Sequence, residues 1–344
     1  MASPRNSRSF VSAFQTAFQG FDVTLKQIFV ERPAAYMHGL RDKLKNLPRT
    51  NFDLGVRFAN EGLWQDAAFR FRVAAWLRPG FVQAWYNLGC AQVKLNQRAR
   101  AKQTFLQALR IDPGHEDTIF MLAALDPNAV PAAQRPQRMQ VALLQQFFTG
   151  LAGNYDALEV QNQYQGPKLV FDAVKVLVPG KDITVVDLGC GTGLASRPWR
   201  SIAKEVAGVD FTPALIAMAR QEKEGDLMLF DQLLEEDIYA LETSAAPLER
   251  ADLVLLVNVV QFMGNLEPLF ATLARRMKPE AKAVLTIEAM NAPAGYAVNL
   301  ETGRFGHHPE YIKQQAAKAG LNIAREGRVQ LYPNFTAQLY VVGK

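Results

Sequence analysis

The sequence predicts an α/β protein whose C-terminal two hundred residues form a mostly parallel, doubly wound sheet, preceded by an all-α region of helical repeats. Three observations predict it. A block of small, aromatic and proline residues recurs at a fixed step of 34 between residues 48 and 115. A short β-branched run, residues 183–187, passes directly into a glycine-rich turn. Beyond about residue 145, apolar strand-like runs alternate with segments of helical periodicity, which is the pattern of a sheet covered on both faces by helices.

Composition sets the bounds. The chain has 344 residues, enough for two domains, with 49% apolar and 21% charged residues. These values exclude collagen, wholesale disorder and a disulfide scaffold, and no apolar run is long enough for a membrane span. The net charge of +5 is mild, and no basic stripe interleaved with aromatics points to nucleic acid. Two lone cysteines, Cys90 and Cys190, fit synthesis in a reducing compartment, so a cytoplasmic location is expected. No apolar core of a secretory signal precedes the first acid, Asp22.

Residues 1–47 are expected to be a helical segment. Phe10, Phe14, Phe18, Phe21, Leu25 and Phe29 fall on one helical face, which would pack on the domain that follows or dock on a partner or membrane surface. Arg5 and Arg8 among serines leave a transit peptide open, although two arginines are few for one.

Residues 48–125 hold the repeats, as units 48–81 and 82–115 with a capping helix at 116–125. Leu54, Gly55, Ala67, Phe71, Ala74 and Pro79 recur as Leu88, Gly89, Ala101, Phe105, Ala108 and Pro113. Small residues let two helices approach, phenylalanines fill between them, and each proline stops the second helix. The segment resembles the tetratricopeptide family. That resemblance implies a groove for a protein partner, with a structural brace or a homodimer arm as the alternatives. Residues 126–144, with Pro127, Pro131 and Pro136, read as a linker.

The last region, residues 145–344, carries the chemistry. Asp187 ends the first strand and is followed by Gly189, Cys190, Gly191 and Gly193, spaced G-x-G-x-G rather than as the dinucleotide fingerprint. Glycines let the backbone approach a ligand, and a carboxylate at this turn favours a cationic ligand over a diphosphate. A second strand, residues 205–210, ends in Asp210, placed to accept a ribose diol. Thr212 and Pro213 then suit the start of a helix reaching about Arg220. Further strands are expected at 251–257 and 283–288, helices at 266–277 and 309–319 with Gly320 as cap, and a closing strand pair at 323–329 and 338–342.

The glycine-rich run and Asp210 resemble class I S-adenosylmethionine-dependent methyltransferases, whose domain is Rossmann-like. The details of residues 148–156, of Phe262, Gly264 and Leu266, and of residues 304–311 resemble those members that carry an N-terminal tetratricopeptide array. The resemblance implies S-adenosyl-L-methionine as cofactor. It places Asp187, Gly189, Cys190, Gly191 and Gly193 in the cofactor turn, Asp210 at the ribose, Phe211 in the cofactor site, and Asp237 and Ile238 beside the adenine. Asn258, where the family usually has an acid, also falls in the cofactor site, and Tyr155 would close over the methionine end. Cys190 reads as packing.

Methyl transfer from a sulfonium needs alignment and dryness, and a base only when the acceptor arrives protonated. His307 is a candidate base or acceptor-orienting group, or else a structural histidine. Glu288 is a second candidate, or else a strand-end carboxylate held by amides. No metal site is expected. The expected function is methyl transfer to an unidentified O or N acceptor. That acceptor is either a small molecule or one presented by a protein or carrier docked on the repeats. The alternatives are an interaction scaffold that binds the cofactor without turnover and, more distantly, a nicotinamide oxidoreductase.

Overall fold

A computed structural model describes residues 33–344 except 179, 293, 294 and 301, with side chains described outside residues 33–45 and 132. The aromatic face expected between Phe10 and Phe29 lies outside the described residues. The chain divides into two compact units, Met1–Thr118 and Ile119–Lys344.

Among the described residues of the first unit, four helices follow one another: α1 (Pro33–Asn60), α2 (Trp64–Leu77), α3 (Val82–Lys94) and α4 (Arg98–Ile111). Helix α1 runs through the boundary expected at residue 47 and carries Pro48 inside it. The two repeats make the same contact. A Cβ on Gly55 would lie 2.6 Å from the Phe71 ring, and one on Gly89 would lie 2.3 Å from the Phe105 ring. Both phenylalanines and the neighbouring Ala67, Ala74, Ala101 and Ala108 are buried. Helices α2 and α4 end before Pro79 and Pro113, since the residue preceding a proline is pushed out of the helical region. Helix α5 (Glu116–Leu125) contains the division between the units.

The second unit opens with α6 (Val141–Leu151), α7 (Tyr155–Gln161) and α8 (Gly166–Val174). Helix α6 starts inside the stretch read as linker. The main sheet has seven strands: β1 (Ile183–Leu188), β2 (Ala203–Asp210), β3 (Gln232–Glu235), β4 (Leu253–Leu256), β5 (Lys282–Ile287), β6 (Asn322–Tyr332) and β7 (Phe335–Gly343). Their order is β6-β7-β5-β4-β1-β2-β3. The pairs β5–β4, β4–β1, β1–β2 and β2–β3 are parallel, whereas β7 runs antiparallel to both β5 and β6.

Alternation along β1 sends Ile183 and Val185 to one core and Val186 and Leu188 to the other, so the strand is buried on both faces. Between the strands lie α9 (Arg197–Arg200), α10 (Pro213–Ala219), α11 (Glu267–Arg276) and α12 (Pro309–Lys318). Leu269, Phe270 and Leu273 of α11 and Ile312 of α12 fill the core on the Val186 side, and Ile216 of α10 fills the other. Gly320 closes α12 at φ +75°, with its N–H on the Ala317 carbonyl. Thr212 occupies the position before α10, but its side chain makes no cap; its N–H goes instead to Asp210. A small ribbon, Tyr296–Val298 with Phe305–His307, stands beside the main sheet. Neither β3 nor this ribbon is expected from sequence.

Candidate functional site

The parallel strands deliver their carboxyl ends to one edge, where open α/β sheets bind ligands. Past β1 the chain turns through Gly189, Gly191 and Gly193 at φ +76°, +55° and +100°, a region that disfavours any side chain. A Cβ on Gly189 would meet Val259 at 2.6 Å, and one on Gly193 would meet Leu229 at 2.4 Å. A Cβ on Gly191 would meet nothing within 4 Å, because this glycine faces a cavity.

That cavity measures about 920 Å³ with its mouth. Gly189, Cys190, Gly191, Asp210, Phe211, Asp237, Ile238, Asn258 and Tyr155 all line it, so residues spread over a hundred positions of sequence meet in one hollow. Asp187 and Gly193 lie behind the wall. Asp187 is fully buried and accepts a hydrogen bond from Ser196 Oγ at 2.7 Å.

Asp210 ends β2 with its carboxylate directed by two backbone amides: Gly191 N–H at 3.0 Å and Thr212 N–H at 2.8 Å. Burial raises its pKa, and these two donors oppose the rise. Burial pushes Asp187 further, up to about 7; the Ser196 hydrogen bond opposes that rise, and the charge of Asp210 adds to it. Two acids therefore stand against one glycine turn, an arrangement that suits a cation. Asp237 is held by Arg138 (2.7 Å), and its other oxygen receives Tyr239 N–H (2.9 Å). The Arg138 guanidinium lies 4.7 Å from the centre of the Tyr239 ring.

Asn258 follows β4 in the left-handed region, at φ +62°. It is held there by its N–H on Thr286 Oγ1 (2.8 Å) and by Gln261 Nε2, which donates to its carbonyl and side-chain oxygens at 2.7 and 2.6 Å. A short polar side chain tolerates this conformation better than most. Helix α6 covers the hollow: Gln145 donates to the Phe211 carbonyl, and Phe148 packs edge-on against Phe262.

The two candidate bases fall elsewhere. His307 does not line the cavity. It sits in the ribbon strand, fully buried, with Nε2 donating to the Gly264 carbonyl (3.1 Å) and its ring stacked on Tyr311 at 6.0 Å. Burial pulls its pKa down to about 4, against the pull of the Gly264 and Met263 carbonyls. Its ring thus ties the ribbon to the loop that bears Phe262 and Met263, away from the cavity lining. Glu288 follows β5, accepts a hydrogen bond from Asn299 Nδ2 at 2.5 Å and does not line the cavity either. Cys190 lines the cavity with its thiol pKa raised by burial, which keeps it protonated and inert.

Sequence reasoning did not single out Arg138, Tyr164 and Tyr239 of the lining, nor Glu159 behind it. Arg138 lies in a stretch read as linker. Glu159 carried a usable signal, because it stands four residues after Tyr155 and therefore on the same face of α7.

Comparison with known proteins places these features. Residues 186–285 match the family described as "Methyltransferase domain", and residues 82–115 match the tetratricopeptide repeat. The chain carries a class I methyltransferase domain behind tetratricopeptide repeats. Among curated relatives, malonyl-[acyl-carrier protein] O-methyltransferase of Serratia marcescens is 30% identical over 132 residues, 38% of this chain and 47% of that one. Ubiquinone biosynthesis O-methyltransferase of Rhodopseudomonas palustris is 30% identical over 105 residues, 30% of this chain and 39% of that one. The chain thus spans less than half the length of these two relatives. Among solved structures, 1,6-didemethyltoxoflavin-N1-methyltransferase of Burkholderia thailandensis aligns at TM-score 0.46 and 13% identity, over 59% of this chain and 88% of that one. Among the described residues no helix is long and apolar enough to cross a membrane.

S-adenosylmethionine fits the residues of this methyltransferase domain. The space into which a Gly191 Cβ would project is open, Asp210 retains lone pairs toward the cavity, and the lining is largely apolar and aromatic.

Proposed function

We propose that this chain is an active S-adenosylmethionine-dependent O-methyltransferase for a small acceptor, with the tetratricopeptide repeats engaging a protein or carrier that brings the acceptor. What supports this reading most is the Gly191–Asp210 pair. An amide in a left-handed turn fixes a buried carboxylate at the mouth of an apolar cavity, where a sugar diol and a cationic sulfur can lie together. The choice of oxygen as acceptor rests on the names of the two curated relatives.

In this reading Asp210 accepts the ribose hydroxyls, and the glycine turn with Cys190 passes beneath the methionine portion. Phe211, Asp237 and Ile238 flank the adenine, and Tyr155 and Asn258 close the methyl end. Asp187 acts from behind the wall, through its charge and through Ser196. When bound, the cofactor supplies a methyl group already activated by a sulfonium. The chain aligns the acceptor behind that methyl and excludes water, which α6, Phe148 and Phe262 are placed to do.

The test is calorimetry of the folded chain with S-adenosylmethionine, followed by labelled methyl transfer to a diphenol and to a malonyl thioester. Micromolar binding that is lost in Gly191→Val and Asp210→Ala is expected. Absence of binding overturns the reading. Binding without transfer to any acceptor in a whole lysate leaves a cofactor-binding scaffold.

A further inference from the structure

A second cavity lies in the same unit and shares no lining residue with the first. It measures about 530 Å³ with its mouth. Arg135 and Tyr296 are its polar residues, and Phe305, Val298 and Pro127 belong to its apolar walls. The buried Phe305 ring packs edge-on against Tyr296, with ring centres 6.0 Å apart. No acid lines this hollow.

Arg135 is half-buried there. Its Nε donates to the Pro127 carbonyl at 3.0 Å, which ties the base of the guanidinium to the wall. Among the described residues its two terminal amino groups meet no acceptor, and no carboxylate forms an ion pair with it. Arg138, three residues on, is by contrast paired with Asp237 at 2.7 Å. A guanidinium keeps its charge in a protein, and drawing it partly out of water without a partner is costly. The partner that matches its planar fork is an oxyanion, gripped through two parallel hydrogen bonds. The Tyr296 hydroxyl, which makes no hydrogen bond among the described residues, is a further donor.

The stretch that carries Arg135 is a wall common to both cavities. Arg135 and Pro136 line the second, whereas Arg138 and Met139 line the first. Between them the Gln137 carbonyl accepts the N–H groups of Gly264 (2.7 Å) and Asn265 (2.9 Å), and Met139 N–H donates to the Phe262 carbonyl (3.0 Å). Residues 137–139 thus run like a strand along the loop 262–265. The ribbon closes on that loop as well, since a Cβ on Gly264 would lie 2.7 Å from the rings of both Phe305 and Tyr296.

We infer that the second cavity is a ligand site for an oxyanion carried on an apolar group, held by Arg135 and Tyr296 with its apolar part against Phe305 and Val298. The oxyanion is a carboxylate or a phosphate ester. The site is separate from the cofactor cavity and needs no methyl transfer.

The test is calorimetry of the full chain with three probes: benzoate, phenyl phosphate and methyl benzoate. At least one of the two anions binds with a Kd of about 1 mM or tighter, and which one does so distinguishes carboxylate from phosphate. Methyl benzoate keeps the ring but lacks the charge, and it binds at least about tenfold more weakly. Arg135→Gln weakens the anion about tenfold or more, and Arg135→Lys, which keeps the charge and loses the fork, about fivefold. Ala297→Leu, at another lining position, fills the hollow and weakens both anions about tenfold without touching any charge.

Failure of both anions to bind overturns the inference, as does equal binding of the neutral ester. So does anion binding that is lost in Arg138→Gln but unmoved by Arg135→Gln and Ala297→Leu, because the anion then sits in the first cavity. None of these results bears on S-adenosylmethionine binding, which is measured separately.

Discussion

Ser196 donates its hydroxyl to Asp187 across 2.7 Å, deep behind the glycine turn, and burial still holds that carboxyl near pKa 7. Its unfolded value is about 3.9. Between those values the native state carries the extra proton, so this group's contribution to stability is complete below pH ~4 and is lost as pH rises to about 7. Asp187→Asn removes the loss. Relative to wild type it gains up to about 4 kcal/mol between pH 4 and 7, since one pKa unit is worth about 1.4 kcal/mol. Thermal unfolding of both proteins from pH 4.5 to 8 checks this, and parallel curves contradict it.

His307 works in the opposite sense. Its folded value is about 4 against about 6.5 when unfolded, so its contribution is present above pH ~6.5 and drains away as pH falls toward 4. His307→Gln therefore flattens the acid side of the stability curve, while Asp187→Asn steepens it. The variant also loosens the Gly264 loop, at about 1–3 kcal/mol for a lost buried hydrogen bond. The pH dependence of methyl transfer carries no limb from His307. A limb that vanishes in His307→Gln restores it as a base.

Two acids behind one turn distinguish a sulfonium from a thioether. As Asp187 and Asp210 ionise, the affinity ratio of S-adenosylmethionine to S-adenosylhomocysteine rises with pH, on the order of tenfold between pH 5 and 8. Paired calorimetric titrations across that range measure it. A constant ratio rules out electrostatic recognition of the cation.

In the repeats, Gly55→Ala and Gly89→Ala each drive a methyl into a buried phenylalanine ring and cost about 1–3 kcal/mol. Gly80→Ala, where a methyl meets nothing within 4 Å, changes stability little. Denaturant unfolding of the three variants separates close approach from a general aversion to losing glycine.

Residues whose role is fixed by near neighbours in the chain were legible. The 34-residue step found both glycine–phenylalanine contacts, because each helix pair folds on itself. The strand–glycine turn and Asp210 were legible because one short loop sets both amide directions. What was not legible shares a cause. For His307 the sequence left base and structural histidine both open, and its burial depends on a ribbon pairing with Tyr296 that its own residues do not announce. Strand β3 escaped notice because its four residues are partly exposed and lack β-branched members.

The antiparallel β7 sits between β5 and β6, not at a border of the sheet. Ribosomal synthesis delivers β5 before the strand that must lie against it, so until residues 335–343 emerge, β5 presents an open row of amides and carbonyls to its surroundings. Closure of this sheet therefore waits on a strand made later than its neighbour.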